Sequence, residues 1–163
     1  MHVLAIYMSD RDLNILFRAM ARRGGLCDEW YSSWSDDDTL DMCLDRFVRG
    51  IDFSIGNMWL DLGVVREHLS LDLLHRHHVY LDEGVDMECV SGRYVFLGSC
   101  HGVVVFSGFT VGDVYVFGTC DVRVIVRDFA RVHVSHYDDS RVFLVNEGNG
   151  RGKLMDRCRK PKG

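Results

Sequence analysis

The sequence predicts an α+β protein in which a helical N-terminal part, residues 1–80, precedes a short β-solenoid, residues 90–150, with coils of about 20 residues. Three observations predict this fold: helical spacing with capping residues in the first half, valine-rich blocks every nine or ten residues in the second, and self-similarity at a 20-residue offset. An antiparallel β-sandwich or meander is the alternative. Residues 94–133 contain no Asn-Gly or Asp-Gly hairpin turn, which favours the solenoid.

The composition is that of a folded chain. Its 163 residues are 47% hydrophobic, enough for one domain or two small ones with a packed core. The sequence contains no apolar run long enough to cross a membrane and does not begin like a signal peptide, so we expect a cytoplasmic protein. Its six cysteines form no Cys-x-x-Cys pair, and we interpret them as reduced, mostly buried thiols.

The first half predicts several short helices. In "SDRDLNILFRAMARRGG", Ser9 and Asp12 are spaced as a capping box, and Gly24-Gly25 end the helix. The segment "LCDEWYSSW" has three aromatic residues at helical spacing and predicts a second helix. The segment "SDDDTLDMCLDRFVRGIDF" predicts a third, whose acidic start suits the positive end of the helix dipole. A further short helix is expected after Asp61.

The second half contains the repeat. Residues 94–113 align without gaps on residues 114–133, which pairs Cys100 with Cys120 and Phe109 with Phe129. A looser third copy begins at Val134. In stacked coils each coil buries its inner face against its neighbours, so we expect the paired residues to lie one above the other. The cysteines are therefore interpreted as core residues.

Strand alternation then predicts which side chains a partner could contact. If Val114, Val116 and Cys120 point inward, the intervening positions point outward and form an apolar face that something must cover. We expect the helical part to cover it, with a protein partner or a second copy as the alternatives. The candidate partner-binding residues are Val95, Leu97, Tyr115, Phe117, Arg123, Arg127, Arg131 and Arg141.

The last 13 residues, 151–163, predict a basic, flexible tail. They carry six basic residues and one acidic residue, a charge of +5, which leaves −10 for the rest of the chain. The tail and the arginines on the outer faces could together bind nucleic acid, although the negative charge elsewhere argues against it.

Catalytic motifs are scarce in the sequence. It has no phosphate-binding glycine loop, no Gly-x-Ser-x-Gly and no His-Glu-x-x-His. A cysteine hydrolase would need Cys100 to meet His101 or His136. The group His75, His77 and His78 suggests a metal-dependent enzyme, but adjacent His77 and His78 point in different directions and complete no known ligand spacing. We predict no catalytic residue, metal ligand or cofactor.

The order "GLCDEWYSSW", "FVRGIDF" and valine-rich β repeats resembles a group of uncharacterised small proteins of gut bacteria and their phages, over most of residues 9–145. That group implies no activity, and the basic tail departs from its pattern. The leading hypothesis is a non-enzymatic binding protein that contacts another macromolecule. If the chain comes from a phage or mobile element, we expect the partner to be a host protein. A nucleic-acid-binding module and a metal-dependent enzyme are the alternatives.

Overall fold

A computed structural model describes residues 7–158 of the chain, except for the side chain of Ile55. The protein divides into two compact units at Leu73 and Leu74, and each is described by itself. No helix within the described residues has the length and hydropathy needed to cross a membrane.

The first unit is helical. The helices are α1 (Asp10–Arg23), α2 (Asp28–Ser33), α3 (Leu40–Arg49), α4 (Ile51–Gly56), α5 (Leu62–His68) and α6 (Leu71–Arg76), the last of which crosses the boundary between the units. The capping box predicted for α1 is confirmed, because the Ser9 hydroxyl accepts from the Asp12 backbone and the Asp12 carboxylate accepts from the Ser9 backbone. Asp61 caps α5 through the Val64 N–H.

The predicted third helix is shorter than expected. It starts after Thr39, whose hydroxyl accepts from the Met42 N–H, and Gly50 separates it from α4. The preceding aspartates pair with arginines instead of starting the helix: Asp36 with Arg18 at 3.1 Å, Asp37 with Arg11 at 3.0 Å, and Asp38 with Arg46 at 2.8 Å.

Aromatic rings form the centre of the helical core. The Trp59 ring lies edge-on to Phe17, Trp34 and Phe47, with centroids 6.2, 5.2 and 5.6 Å away. The fully buried Asn14 accepts from the Trp34 indole at 2.7 Å and donates to the backbone carbonyls of Ser35 and Asp36. This amide joins α1 to the chain between α2 and α3.

The second unit is the predicted β-solenoid, with about four coils. Its strands are β1 (Val79–Leu81), β2 (Gly84–Cys89), β3 (Gly92–Leu97), β4 (His101–Phe106), β5 (Val111–Val116), β6 (Asp121–Val126), β7 (Arg131–His136), β8 (Arg141–Asn146) and β9 (Arg151–Asp156). They form a five-stranded sheet in the order β1-β3-β5-β7-β9 and a four-stranded sheet in the order β2-β4-β6-β8. Every pairing is parallel, so the antiparallel alternative is wrong.

The core of the solenoid consists of alternate residues of both sheets. Val104 pairs with Val124 in the four-stranded sheet, and Val114 pairs with Val134 in the five-stranded sheet; all four are buried. Cys100 and Cys120 lie on successive coils, as predicted, and the Cys100 N–H contacts the Cys120 Sγ at 3.3 Å. The rings of Phe109 and Phe129 stack with centroids 5.2 Å apart, also as predicted.

The turns share a 10-residue period, half a coil. Their second residues have positive φ angles of 54–69° at six positions ten residues apart: Gly98, Gly108, Gly118, Asp128, Asp138 and Gly148. The two aspartates also use their side chains. The Asp128 carboxylate accepts from the Gly108 N–H at 2.8 Å and the Asp138 carboxylate from the Gly118 N–H at 3.0 Å, which joins each of these turns to the equivalent turn of the previous coil.

Two predicted boundaries are wrong. The solenoid starts at Val79 and not near residue 90, because β1 and β2 form an irregular first coil. The predicted basic tail begins instead with β9, which pairs with β7 at the same 20-residue offset as the earlier coils. Residues 159–163 of that predicted tail lie outside the described residues.

Candidate functional site

The outer face of the four-stranded sheet carries an apolar row. Val105, Ile125 and Val145 are aligned by strand register on the side opposite the core, and each is half-buried. Beside them, Val103 and Phe143 lie on the same face, with Phe143 63% exposed. We call these five residues the apolar strip.

Charge changes sign along the same face. The first strand, β2, contributes Asp86 and Glu88, which register places next to Val103 and Val105. The later strands contribute Arg123 and Arg141. The Arg123 guanidinium lies 5.2 Å from the centroid of the Phe143 ring, a cation–π distance. On this face β2 is thus acidic, whereas Arg123 lies within the strip between Val103 and Phe143, and Arg141 neighbours Asp121.

The structure does not gather the apolar residues predicted from sequence into one accessible surface. Val95 and Leu97 are fully buried, and Tyr115 is half-buried. Phe117 is buried too, because it is the first residue of a turn and stacks on the Tyr137 ring at 4.8 Å, instead of continuing the alternation of β5. As candidate partner-binding residues, Val95, Leu97 and Phe117 are wrong, because their side chains are buried.

The four predicted arginines do not form a single ladder either. Arg123 and Arg141 lie on the outer face of the four-stranded sheet, whereas Arg127 is in a turn and Arg131 starts a strand of the other sheet. Two have acidic neighbours: Arg127 pairs with Glu147 at 3.2 Å, and Arg141 lies 4.0 Å from Asp121. Arg131 donates to backbone carbonyls.

The histidines at positions 75, 77 and 78 do not converge on one point. The His75 Nε2 lies 2.8 Å from a Glu83 carboxylate oxygen, and its ring lies 4.9 Å from the Tyr80 ring. His78 stacks on Tyr94 at 4.4 Å with the rings nearly parallel. Within residues 7–158 these histidines do not belong to a group of three potential ligands close enough to hold one ion.

One such group exists at the end of the solenoid. His136, Asp156 and Cys158 each offer a ligand atom, and these atoms all lie within 4.8 Å of one another. The Cys158 Sγ lies 3.3 Å from His136 Nδ1, and the Asp156 carboxylate lies 3.6 Å from His136 Nε2. His136 is buried, Asp156 is exposed and Cys158 is half-buried.

Four of the cysteines have raised pKa values, whereas the hydrogen bond with Cys120 lowers the pKa of the buried Cys100. Burial, followed by the hydrogen bond with Asp156, raises the pKa of the Cys158 thiol, whereas a nucleophilic cysteine needs a lowered pKa. Burial raises the pKa of Cys43 and of Cys89 to about 12. The hydrogen bond with Cys100, followed by burial, raises the pKa of Cys120. The Cys158–His136 pair is therefore as close as a catalytic pair, but the raised pKa of Cys158 does not favour a nucleophilic thiolate.

The sequence contained a signal for the Asp156 position. The 20-residue offset that pairs Cys100 with Cys120 also pairs His136 with Asp156, but the basic composition after residue 150 predicts a tail at this position instead. Cys158 follows the last strand, at the turn position that the 20-residue offset aligns with Asp138, so the repeat gives no signal for a cysteine there. Only its tertiary contact with His136 assigns it to the group.

The helical unit contains an apolar pocket of about 180 Å³. Its lining includes Trp30, Trp34, Phe53 and Trp59, with Arg46 as the charged residue. Two of the lining rings, Trp34 and Trp59, meet edge-on at an angle of 65°.

Comparisons with known proteins gave no relative: no protein-family model, curated protein or solved structure matches the chain. The class that the fold defines is an α+β protein with a helical unit followed by a two-sheet parallel β-solenoid. Because one fold can carry many activities, the function is argued below from the surfaces alone.

Proposed function

We propose that the protein is a non-enzymatic binding protein whose solenoid contacts another protein through the apolar strip. The observation that carries the proposal is the alignment of Val105, Ile125 and Val145 on an outward-facing, half-buried row, next to the exposed Phe143. Contiguous apolar surface with a charged rim is typical of protein interfaces.

Arg123 and Phe143 supply the features of an interface anchor. The arginine lies over the ring at 5.2 Å, so an aromatic surface and a cation are presented together. Aromatic residues and arginine are enriched among the residues that contribute most to protein–protein binding. We expect these two residues to dominate the affinity for the partner.

The charges beside and within the strip predict the partner's complementary features. Asp86 and Glu88 favour a basic region of the partner opposite β2, and Arg123 favours an acidic group opposite β6. A nucleic acid, which is uniformly negative, fits only the second of these regions. A protein partner satisfies both, as does a second copy of the chain turned end to end.

The chemistry of the cysteines supports a reducing compartment, such as the cytoplasm, for this interaction. All six cysteines are free thiols, and four of them are buried. If the chain originates from a phage or mobile element, the partner is a host protein, which an inhibitor of a host function would bind.

The test uses site-specific photo-crosslinking in the cells that produce the protein. A photoreactive phenylalanine analogue replaces Phe143 in one variant and Phe109, an 83% exposed phenylalanine in a turn, in the control. We expect a discrete crosslinked protein from position 143 that is absent or much weaker from position 109. No crosslink, or the same crosslinks from both positions, would contradict the proposal.

A second pair of variants measures the contribution of the strip. Ile125→Arg introduces charge into its centre, whereas Val111→Arg does so at a 60% exposed valine of the five-stranded sheet. The first variant should abolish the crosslink at position 143, and the second should leave it unchanged. Light scattering identifies the case in which the partner is a second copy, since the wild-type mass would then double and that of Ile125→Arg would not.

A further inference from the structure

One row of side chains in the five-stranded sheet, aligned across successive strands, is apolar in the earlier coils and polar in the last two. Phe96, Val116, His136 and Asp156 are aligned by register in the five-stranded sheet, on successive strands. The first two are fully buried apolar residues, and His136 is only 9% exposed. A buried imidazole at the end of a hydrophobic row needs polar partners, because an unpaired one would lose its hydrogen bonds to water.

Besides Ser140, whose carbonyl oxygen lies 3.2 Å from Nδ1, the partners of this imidazole come from β9 and the residues that follow it. The Asp156 carboxylate approaches Nε2 at 3.6 Å and the Cys158 Sγ approaches Nδ1 at 3.3 Å. Asp156 also accepts from the Cys158 N–H at 2.9 Å, so the Asp-x-Cys segment curls towards the histidine and brings both side chains with it. Neither approach is a short hydrogen bond between oxygen and nitrogen atoms.

From this geometry we propose that His136, Asp156 and Cys158 form a zinc-binding site with one imidazole, one carboxylate and one thiolate ligand. In tetrahedral zinc sites with these donors, the ligand atoms lie about 3.5 Å apart. The three candidate atoms lie within 4.8 Å of one another, so side-chain movements of about 1 Å suffice to enclose the ion.

The surroundings of His136 favour coordination through a single ring nitrogen. The Asp156 carboxylate lies 3.6 Å from Nε2, so Nε2 is the nitrogen assigned to the metal, and a proton on Nδ1 can be donated to the Ser140 carbonyl oxygen at 3.2 Å. The Cys158 Sγ, which lies 3.3 Å from Nδ1, must then move towards Nε2 when the ion binds. A histidine ligand that donates its other N–H to a backbone carbonyl is the usual arrangement at zinc. Binding converts the Cys158 thiol to a thiolate, and its proton goes to solvent.

The combination of donors selects the kind of metal. Thiolate and imidazole favour zinc and similar borderline ions, whereas magnesium and calcium take oxygen ligands. With three protein ligands, the fourth position of the zinc is left for water or for a group on another molecule. The site lies at the end of the solenoid core and is independent of the binding function proposed for the apolar strip.

The test is a cobalt titration of the full-length protein, stripped of metal by chelation and kept reduced. Cobalt(II) substitutes for zinc and gives a thiolate-to-metal charge-transfer absorption when a cysteine is bound. We expect one equivalent per chain with that absorption, followed by its loss when one equivalent of zinc displaces the cobalt. Zinc should also raise the unfolding temperature of the wild-type protein.

Two variants, Cys158→Ser and Asp156→Asn, each remove one ligand. Both side chains are less buried than that of His136, so these substitutions are less liable to unfold the protein. We expect each to weaken zinc binding by about 100-fold or more, and Cys158→Ser to abolish the charge-transfer band. The controls are Cys27→Ser, which removes an exposed thiol, and His133→Gln, which removes an exposed imidazole from β7. Both controls should bind zinc like the wild type.

Binding without the charge-transfer band, binding of several weak equivalents, or equal binding by wild type and both ligand variants would indicate an adventitious ion only and would overturn the proposal. If Cys158→Ser does not fold, Asp156→Asn and the wild-type spectrum decide the outcome. Because none of these variants alters the apolar strip, crosslinking at Phe143 remains a separate test of the binding function.

Discussion

The helical unit and the solenoid form their cores in different ways. In the helical unit each core contact is unique, such as the hydrogen bond from Trp34 to Asn14 and the three edge-on contacts of Trp59. In the solenoid the same contact recurs on successive coils, as at Val104 and Val124. A substitution in the helical unit therefore removes a unique interaction, whereas one in the solenoid removes one copy of several.

The two units also offer separate spectroscopic probes. All three tryptophans, Trp30, Trp34 and Trp59, belong to the helical unit, so tryptophan fluorescence reports on its unfolding alone. The strands β1–β9 belong to the second unit, so the β contribution to circular dichroism reports on the solenoid. The following four experiments use this separation to test the comparison.

The largest effect is expected from Gly102→Ala, at the start of β4. A Cβ atom there would lie 1.8 Å from the Val85 carbonyl oxygen, and Gly102 has a φ of +140°. Overpacking and backbone strain together should destabilise the solenoid by at least about 3 kcal/mol, measured by denaturant unfolding followed by circular dichroism. The control is Gly56→Ala in α4, where the added Cβ meets no atom within 4 Å. A stability change below about 1 kcal/mol for Gly102→Ala would contradict this close approach of the coils.

Asn14→Ala should have the next largest effect, in the helical unit. It removes three hydrogen bonds and leaves the buried Trp34 indole N–H without its acceptor. We expect a loss of about 2–4 kcal/mol in unfolding monitored by tryptophan fluorescence. The exposed Asn57, replaced by alanine, serves as the control. Equal effects of the two substitutions would show that the Asn14 network does not stabilise the core.

The substitutions Val104→Ala and Val124→Ala test whether successive coils are equivalent. Both valines are fully buried and paired in register, so each truncation should cost about 2 kcal/mol, and the two costs should agree within about 1 kcal/mol. The measurement is denaturant unfolding of the solenoid signal. Costs that differ by more than about 2 kcal/mol would show that the core does not respond as a repeat.

The smallest effect is expected for the exposed ring stack of Phe109 and Phe129. Because Phe109 is 83% exposed, the stack contributes ring contact and little burial. A double-mutant cycle with Phe109→Ala and Phe129→Ala should give a coupling energy of about 0.5–1.5 kcal/mol. A coupling energy of zero would mean that the parallel rings reflect only the register of the turns.

The sequence predicted the solenoid well wherever its period was regular. Between β3 and β9 the pairings in both sheets have a 20-residue offset, which sequence self-similarity detects. In the first coil the offsets are shorter, since Val79 pairs with Val95 and Gly84 with His101. The irregular register explains why the predicted start of the solenoid was about ten residues late.

The sequence could not predict the side-chain contacts that depend on tertiary packing. The strand alternation correctly assigned Val114 and Val116 to the core, but it failed at Phe117, where a turn interrupts the period of two. The meeting of Asn14 with Trp34, and of His136 with Cys158, joins residues about 20 positions apart without a shared periodic pattern. Such contacts are set by how helices and turns pack, which local sequence does not encode.

Because the turns have positive-φ residues at ten-residue intervals, the solenoid can be lengthened only in fixed steps if both sheets are to stay continuous. Adding a 20-residue segment equivalent to 111–130 would insert one strand into each sheet and lengthen the stack by about 4.8 Å without changing the register elsewhere. Adding only 10 residues would exchange the two sheets beyond the insertion and interrupt the apolar strip. Descendants of this chain can therefore vary in length by whole coils while keeping both faces continuous.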